Sequence, residues 1–306
     1  MNKHLMGQMR SHRFFWFLSA YLLGIGILIA LVLATEFLPT FIGGATRQSM
    51  LDIFTFGRNL FWSAGILLIL ASGLLVPISA LGAIAGERDQ RTLDLLKVTA
   101  LRPWDIVGGK MLSVCLTGLL FISAPLPIIM TGFWLGGVSV TEVAILLIVV
   151  VVTMILSCSW ALFFSAMVRK TLNAVLIYYI LNLISVPILL VATVIVGSTY
   201  DSLTYSQRLG TTPSFFLATV FQYGWVILCG FHPIYAAVVS QLLGMEQTRW
   251  FLLHFDITRY DPLTDRFSTM GTAYLPSPWI LYVIFSLITS AFLLWQATKR
   301  TGKLES

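Results

Sequence analysis

Six long apolar runs, set apart by short charged clusters, dominate the pattern of hydrophobic and polar positions: 14–37, 61–85, 111–133, 142–168, 173–197 and 279–298. Each is close to the roughly 20 apolar residues that a helix needs to cross hydrocarbon, with some excess available for tilt. Charge touches these runs only at their edges, at Glu36 and Glu142, so the spans expose almost nothing costly to lipid. The pattern predicts an all-α membrane protein: six transmembrane helices forming one domain over 1–306. The first run follows Arg10 and Arg13, as in a signal peptide, but it is too long and lacks a clear small-residue cleavage site. It reads as a retained span.

Orientation follows from Lys and Arg. With the N-terminus in the cytoplasm, the inner segments hold Lys3, Arg10, Arg13, Arg88, Arg91, Lys97, Arg102, Lys110, Arg169, Lys170, Lys299, Arg300 and Lys303. The outer segments hold Arg47 and Arg58, and a long outer segment, 198–278, carries Arg208, Arg249, Arg259 and Arg266. Long loops are largely exempt from the positive-inside rule, so both termini are expected in the cytoplasm. Within 198–278 lies an apolar stretch, 214–245, broken at Gly230-Phe231-His232-Pro233. Pro233 stops a helix there, and neither arm is comfortably long enough to cross. A re-entrant pair of short helices keeps both termini on one side, and such backbone needs cover from protein or a water-filled cavity. Two extra full spans would keep the same parity. Pro77, Pro125, Pro127 and Pro187 fall inside spans, where neighbours must re-satisfy the freed carbonyls. Trp16, Trp134, Trp279 and Trp295 sit near span ends, as interfacial aromatics do.

Composition agrees. Of 306 residues, 58% are hydrophobic and 10% charged, and the mean hydropathy is +0.88. Soluble domains carry roughly a quarter charged residues, so a water-soluble core is excluded. The formal charge of +6 sits in short segments between apolar runs, so cytoplasmic loop charge accounts for it and nucleic acid is not an expected partner. The lipid bilayer is. Cys115 and Cys158 lie inside apolar runs and Cys229 in the outer segment, so no disulfide framework is predicted.

The inner loop 86–110 is the most charged passage of the chain. From Glu87 to Lys97 the residues suit a helix. Glu87 precedes Arg91 by four positions, acidic residues crowd the first turn, and Leu93 and Leu96 form an apolar stripe. Pro103 then suits the first turn of a second helix leading into span three. An ordinary solvated loop would also obey the positive-inside rule, but a charged helix with an apolar stripe between two spans is shaped to dock onto something.

The stretch resembles the loop of ABC type-2 transporter permeases, whose pattern runs roughly Gly-Glu-Arg-Glu-x-Gly-Thr-Leu-Glu-Leu-Leu, then Thr-Pro-Leu-Ser, then Ile-Val-x-Gly-Lys. Gly86, Glu87, Arg88, Thr92, Leu93, Leu95, Leu96, Thr99, Leu101, Ile106, Val107, Gly109 and Lys110 match, and Asp89 and Asp94 replace Glu conservatively. Arg91 departs from the usual Gly, Ala100 from Pro and Arg102 from Ser. The N-terminal Met9-Arg10-Ser11-His12-Arg13-Phe14-Phe15-Trp16, passing into Tyr21-Leu22-Leu23, resembles one branch of that family. Phe231-His232-Pro233-Ile234-Tyr235-Ala236 is similar to its Pro-aromatic segment after span five.

The resemblance implies that the loop after span two is a coupling helix seated in a cytoplasmic ATP-binding subunit. A second permease chain, alike or different, would pair with this one around the pathway. Closure of the two ATPases would push on 87–96, through contacts at Glu87, Arg88, Asp89, Thr92, Leu93 and Leu96, with Arg102 included by position alone. The expected protein is a permease subunit of an exporter, multi-pass in the plasma (inner) membrane. It has no cofactor of its own, and ATP and Mg are bound by the partner.

The chain is not expected to be an enzyme. It has no Gly-x-x-x-x-Gly-Lys-Ser/Thr loop, since Gly108-Gly109-Lys110-Met111 lacks both spacing and hydroxyl, so the ATPase must be another chain. His4, His12, His232 and His254 are scattered without metal-ligand spacing, and no metal is predicted. Asp52, Asp201, Asp256, Asp261 and Asp265 read as solvated loop carboxylates. Asn182 is the strongly polar side chain deep within a span, with Asn173 and Gln296 at span ends, which argues against an ion-coupled carrier and leans towards a hydrophobic cargo. The alternative of a different class is a non-transporting membrane protein that uses the same loop to recruit a partner for assembly or sensing.

Overall fold

A computed structural model describes residues 19–24, 26–27, 30–31, 34, 50–89, 103–168, 170–206, 215–247, 250–261 and 266–303. In chain order the elements are α1 (Met50–Leu74), α2 (Pro77–Asp89), α3 (Pro103–Ser123), α4 (Leu126–Trp134), α5 (Val140–Met167), α6 (Thr171–Ser206), α7 (Phe215–Cys229), α8 (Pro233–Gln247), β1 (Leu252–Asp261), β2 (Arg266–Pro276) and α9 (Pro278–Lys303). Among the described residues, five helical segments are long and apolar enough to cross a bilayer: Phe54–Gly86, Trp104–Ser123, Val140–Met167, Thr171–Thr199 and Pro278–Thr301. The chain is thus a largely helical, multi-pass membrane protein. The first expected span, 14–37, lies mostly outside the described residues, and the positions described within it are helical.

Two expected spans come out differently. The helix of span two begins at Met50, ahead of the expected residue 61, and it carries Arg58, whose charge is met by Glu142 at 3.9 Å. Span three, expected over 111–133, is split between α3 and α4 at Ala124 and Pro125. Pro125 has no N–H to continue the ladder, and its carbonyl instead starts the next helix by accepting from Ile128 and Ile129 at 3.0 and 3.2 Å. Helix α6 absorbs Pro187 without a break.

The interruption between α1 and α2 shows how such breaks are tolerated. Pro77 offers no N–H to Gly73, and the Val76 N–H turns to the Ala71 carbonyl at 3.3 Å. The carbonyls of Ser72 and Gly73 therefore lose their helical partners. Ser157 Oγ reaches the Ser72 carbonyl at 3.0 Å, sharing its proton with the Thr153 carbonyl at 2.7 Å. The Tyr178 hydroxyl donates to the Gly73 carbonyl at 2.5 Å. Both freed acceptors are met by side chains from distant spans, as a medium without water demands.

The described residues fall into two units, Met1–Tyr178 with Thr289–Ser306, and Tyr179–Ile288. In the first, α5 is the central helix, with Leu146, Val149, Cys158, Ala161 and Leu162 almost wholly buried. Lipid is as apolar as leucine, so helices associate here by close packing and hydrogen bonds rather than by a hydrophobic force. Small residues provide it where α1 meets α4 and the turn that follows. A Cβ on Gly57 would come 2.8 Å from Leu135 Cβ, and one on Gly137 only 2.1 Å from the Phe54 carbonyl oxygen. Gly136, at φ +84°, turns the chain back against Phe54. Ser139 then caps α5: its Oγ accepts from Glu142 N–H, and Glu142 Oε2 accepts from Ser139 N–H, both at 3.3 Å. That reciprocal box is worth about 1 kcal/mol.

In the second unit, α7 and α8 are separated by 230–232, as the Pro233 signal predicts. His232 Nδ1 accepts the Ile234 N–H at 3.3 Å and so covers one orphan donor at the start of α8.

The segment 198–278, expected to be an outer loop around a helical pair, also contains a β-hairpin. β1 and β2 pair antiparallel from Leu252↔Pro276 to Asp261↔Arg266, with an irregularity between Ile257 and Thr258. Leu253 and Leu275, directly opposite, are both buried, Leu275 against Val226 of α7.

Candidate functional site

The ends of the charged loop 86–110 are held by the first unit. Helix α2 continues through Asp89, so the backbone of Glu87, Arg88 and Asp89 belongs to its last described turn, and the rest of the helix expected over Glu87 to Lys97 lies outside the described residues. Their side chains, and all of Thr92, Leu93, Leu96 and Arg102, lie outside the described residues. On the other side Pro103 opens α3, which runs without interruption into span three as its sequence predicts. Helices α2 and α3, which flank 90–102 in the sequence, thus form a stem.

Three features tie the stem together. Ser165, near the end of α5 and fully buried, accepts from the N–H groups of Ile84 and Ala85 at 3.1 and 2.9 Å. Its hydroxyl donates to the Leu81 carbonyl at 2.8 Å. A single side chain therefore bonds three backbone groups in the last turns of α2. Lys110 of α3 donates to the Ala83 carbonyl, placing a cation near the C-terminal half of α2, where the helix dipole favours it. Ile84, Ala85 and Val107 fill the space between with almost no exposure. Gly82 and Gly86 lie against Thr171, the first residue of α6.

More basic residues gather at this end. Arg300 of α9 lies 5.6 Å from the centroid of the Phe163 ring, within a cluster where Trp160 stacks on Phe164 at 5.4 Å. Lys299 sits 5.2 Å from the Trp295 ring, and Trp104 is exposed at the start of α3. Each cation–ring contact is worth about 0.5–1 kcal/mol at an exposed site. The termini near 86, 104–110, 163–171 and 300 therefore share one end of this unit, while Arg58, Gly137 and Glu142 mark the other.

Lys110 carries part of the motif legible in the sequence. Ser157, Ser165 and Tyr178 do not belong to any motif, and the signal available for the two serines is a small polar residue inside an otherwise apolar run. Among the described residues no group of three His, Cys, Asp or Glu side chains comes together. The arrangement has the parts of a mechanical link: a short, polar-braced stem leading into the packed core. No protein-family model matches the chain, and no curated protein matches it.

Proposed function

We propose that this chain is the permease subunit of an ATP-binding-cassette transporter, with 86–110 as the coupling segment that receives a cytoplasmic ATP-binding subunit. The residue pattern of that segment carries the reading: Gly86-Glu87-Arg88, Thr92-Leu93, Leu95-Leu96 and Gly109-Lys110 in the family's spacing. The braced stem supports it. A force applied to 87–96 would pass through α2 to Ser165 and through α3 to Lys110, and so to α5.

In this reading the stem end faces the cytoplasm, both termini are on that side, and 14–37 supplies a sixth span. The chain resides in the plasma (inner) membrane and pairs with a second permease chain. Helices α7 and α8, at 15 residues each, enter the membrane from the outer side and return, since about 20 residues are needed to cross. ATP and Mg bind the partner subunit, and the substrate moves outward. The contacts assigned to the partner are Glu87, Arg88, Asp89, Thr92, Leu93, Leu96 and Arg102.

Replacing Glu87 or Leu93 with alanine is expected to lower transport-linked ATP hydrolysis by about fivefold or more, the lower range of coupling energies between distant sites, while membrane insertion stays intact. An undiminished coupled rate in both variants would overturn the assignment.

A further inference from the structure

We propose that the base of the β-hairpin is a membrane anchor. The side chains of Phe251, Leu252 and Tyr274 lie in the headgroup boundary of the bilayer that α9 enters, and the far end of the hairpin stands in water. This goes beyond the permease reading and does not depend on it.

Phe251, Leu252 and Tyr274 are 59%, 56% and 59% exposed. Their neighbours explain why that is unusual. Leu253 and Leu275 are paired across the strands and buried, Leu275 against Val226, so alternation along the strands turns Leu252 and Tyr274 to the opposite face. Large apolar side chains therefore occupy both faces of the base, with His254 opposite Tyr274 on the exposed one, whereas a hairpin with one face in water shows apolar and polar positions on separate faces. Towards the tip charged residues enter the register, at Asp256↔Thr272, Arg259↔Ser268 and Asp261↔Arg266, interleaved with Phe255↔Ala273, Ile257↔Gly271 and Tyr260↔Phe267, whereas the base carries no Asp, Glu, Lys or Arg. The gradient runs along the strands as well as across them.

The depth of the base is set by α9. The Ser277 N–H donates to the Phe251 carbonyl at 3.0 Å, and Trp279 Nε1 donates to the Trp250 carbonyl at 2.8 Å. The Trp279 N–H is held by Ser240 Oγ at 2.9 Å, and the Tyr223 hydroxyl donates to the Tyr274 carbonyl at 3.3 Å. Residues 250–252 are thereby pinned level with 277–279, the first turn of a span. Pro278–Thr301 is 24 residues long, about 36 Å of helix against a hydrocarbon core of about 30 Å, so that first turn sits at the boundary. Tyr274, two rungs further out, is about 7 Å away. Aromatic and leucine side chains exposed at this level meet lipid, and the enrichment of Trp and Tyr at membrane surfaces has the same cause.

The test places an environment-sensitive fluorophore at Leu252→Cys, Tyr274→Cys or Arg259→Cys, in a chain whose native cysteines are replaced by alanine, reconstituted into phosphatidylcholine vesicles. Nitroxide-labelled lipid is expected to quench positions 252 and 274 at least threefold more than aqueous iodide does, with the order reversed at 259. Stronger iodide quenching at 252 and 274 would put the hairpin base in water and overturn the proposal. So would quenching by neither agent, which would mean that protein covers the patch. Equal lipid quenching at 259 would overturn the gradient. Should the cysteine-free chain fail to fold, the native chain in vesicles with a photoreactive lipid gives the same answer. Adducts on the peptide containing 250–254 and 272–279 support the anchor, and their absence while other spans are labelled contradicts it.

Discussion

Gly137→Val is expected to give the largest loss of stability of any single substitution in the described core, with little folded protein recovered from the membrane. A Cβ at 137 would stand 2.1 Å from the Phe54 carbonyl oxygen and 2.8 Å from the Arg58 nitrogen, both backbone atoms of α1 that no rotamer change can move. Overpacking typically costs about 1–3 kcal/mol, and this contact belongs at the top of that range because helix must move against helix. The damage would spread, since Gly57 and Gly132 approach across the same seam and the Ser139–Glu142 cap begins two residues later. Thermal stability in mild detergent, read by size-exclusion chromatography, measures it. Gly224→Ala is the control. Nothing lies within 4 Å of a Cβ there, and alanine in a helix interior gains up to about 1 kcal/mol over glycine. A Gly137→Val protein as stable as the native one would refute the seam.

The second large effect is functional. Ser165→Ala with Lys110→Met removes the polar brace of the stem without adding volume to a fully buried site. Each lost hydrogen bond costs only about 0.5–1.5 kcal/mol, so the protein should remain folded. The backbone of 81–89 should nevertheless exchange hydrogen faster, because Ile84, Ala85 and Ala83 have lost their cross-helix partners. If the loop drives transport, the coupled ATPase rate should fall about fivefold or more even though every contact residue from Glu87 to Leu96 is intact. Faster exchange with unchanged coupling would mean that the stem is structural and that force travels by another route.

The sequence makes the helices legible for a simple reason. A membrane span must be long, apolar and free of unpaired charge, and each condition is written in consecutive residues. The helix opened by Pro103 and the break before Pro233 are similarly local. Interruption of span three is not: Pro125 marks a weak point, but whether the helix bends or restarts depends on partners for its carbonyls. At Pro77 those partners are Ser157 and Tyr178, 85 and 105 residues from the groups they bond. Arg58 is obscured in the same way, because it reads as loop charge until Glu142 is seen beside it.

The hairpin had a signal that the apolar context hides. Leu253, Phe255 and Ile257 alternate with His254, Asp256 and Thr258, a strand pattern of period two. The ion pair with Glu142 and the three-bond role of Ser165 have no comparable trace, since nothing in an isolated serine or glutamate says which distant backbone it will meet. For the proposed contact surface, the sequence remains the stronger guide. Thr92, Leu93, Leu96 and Arg102 lie outside the described residues, and their assignment rests on the pattern of 86–110.

The central claim is that this loop receives an ATP-binding subunit. Affinity purification of the tagged chain in mild detergent, beside Glu87→Ala, tests it directly. The account predicts that an ATP-binding subunit copurifies with the native chain and is lost from the variant. A folded, membrane-inserted native chain that brings no such subunit with it would contradict the account and favour a scaffold or stand-alone membrane protein.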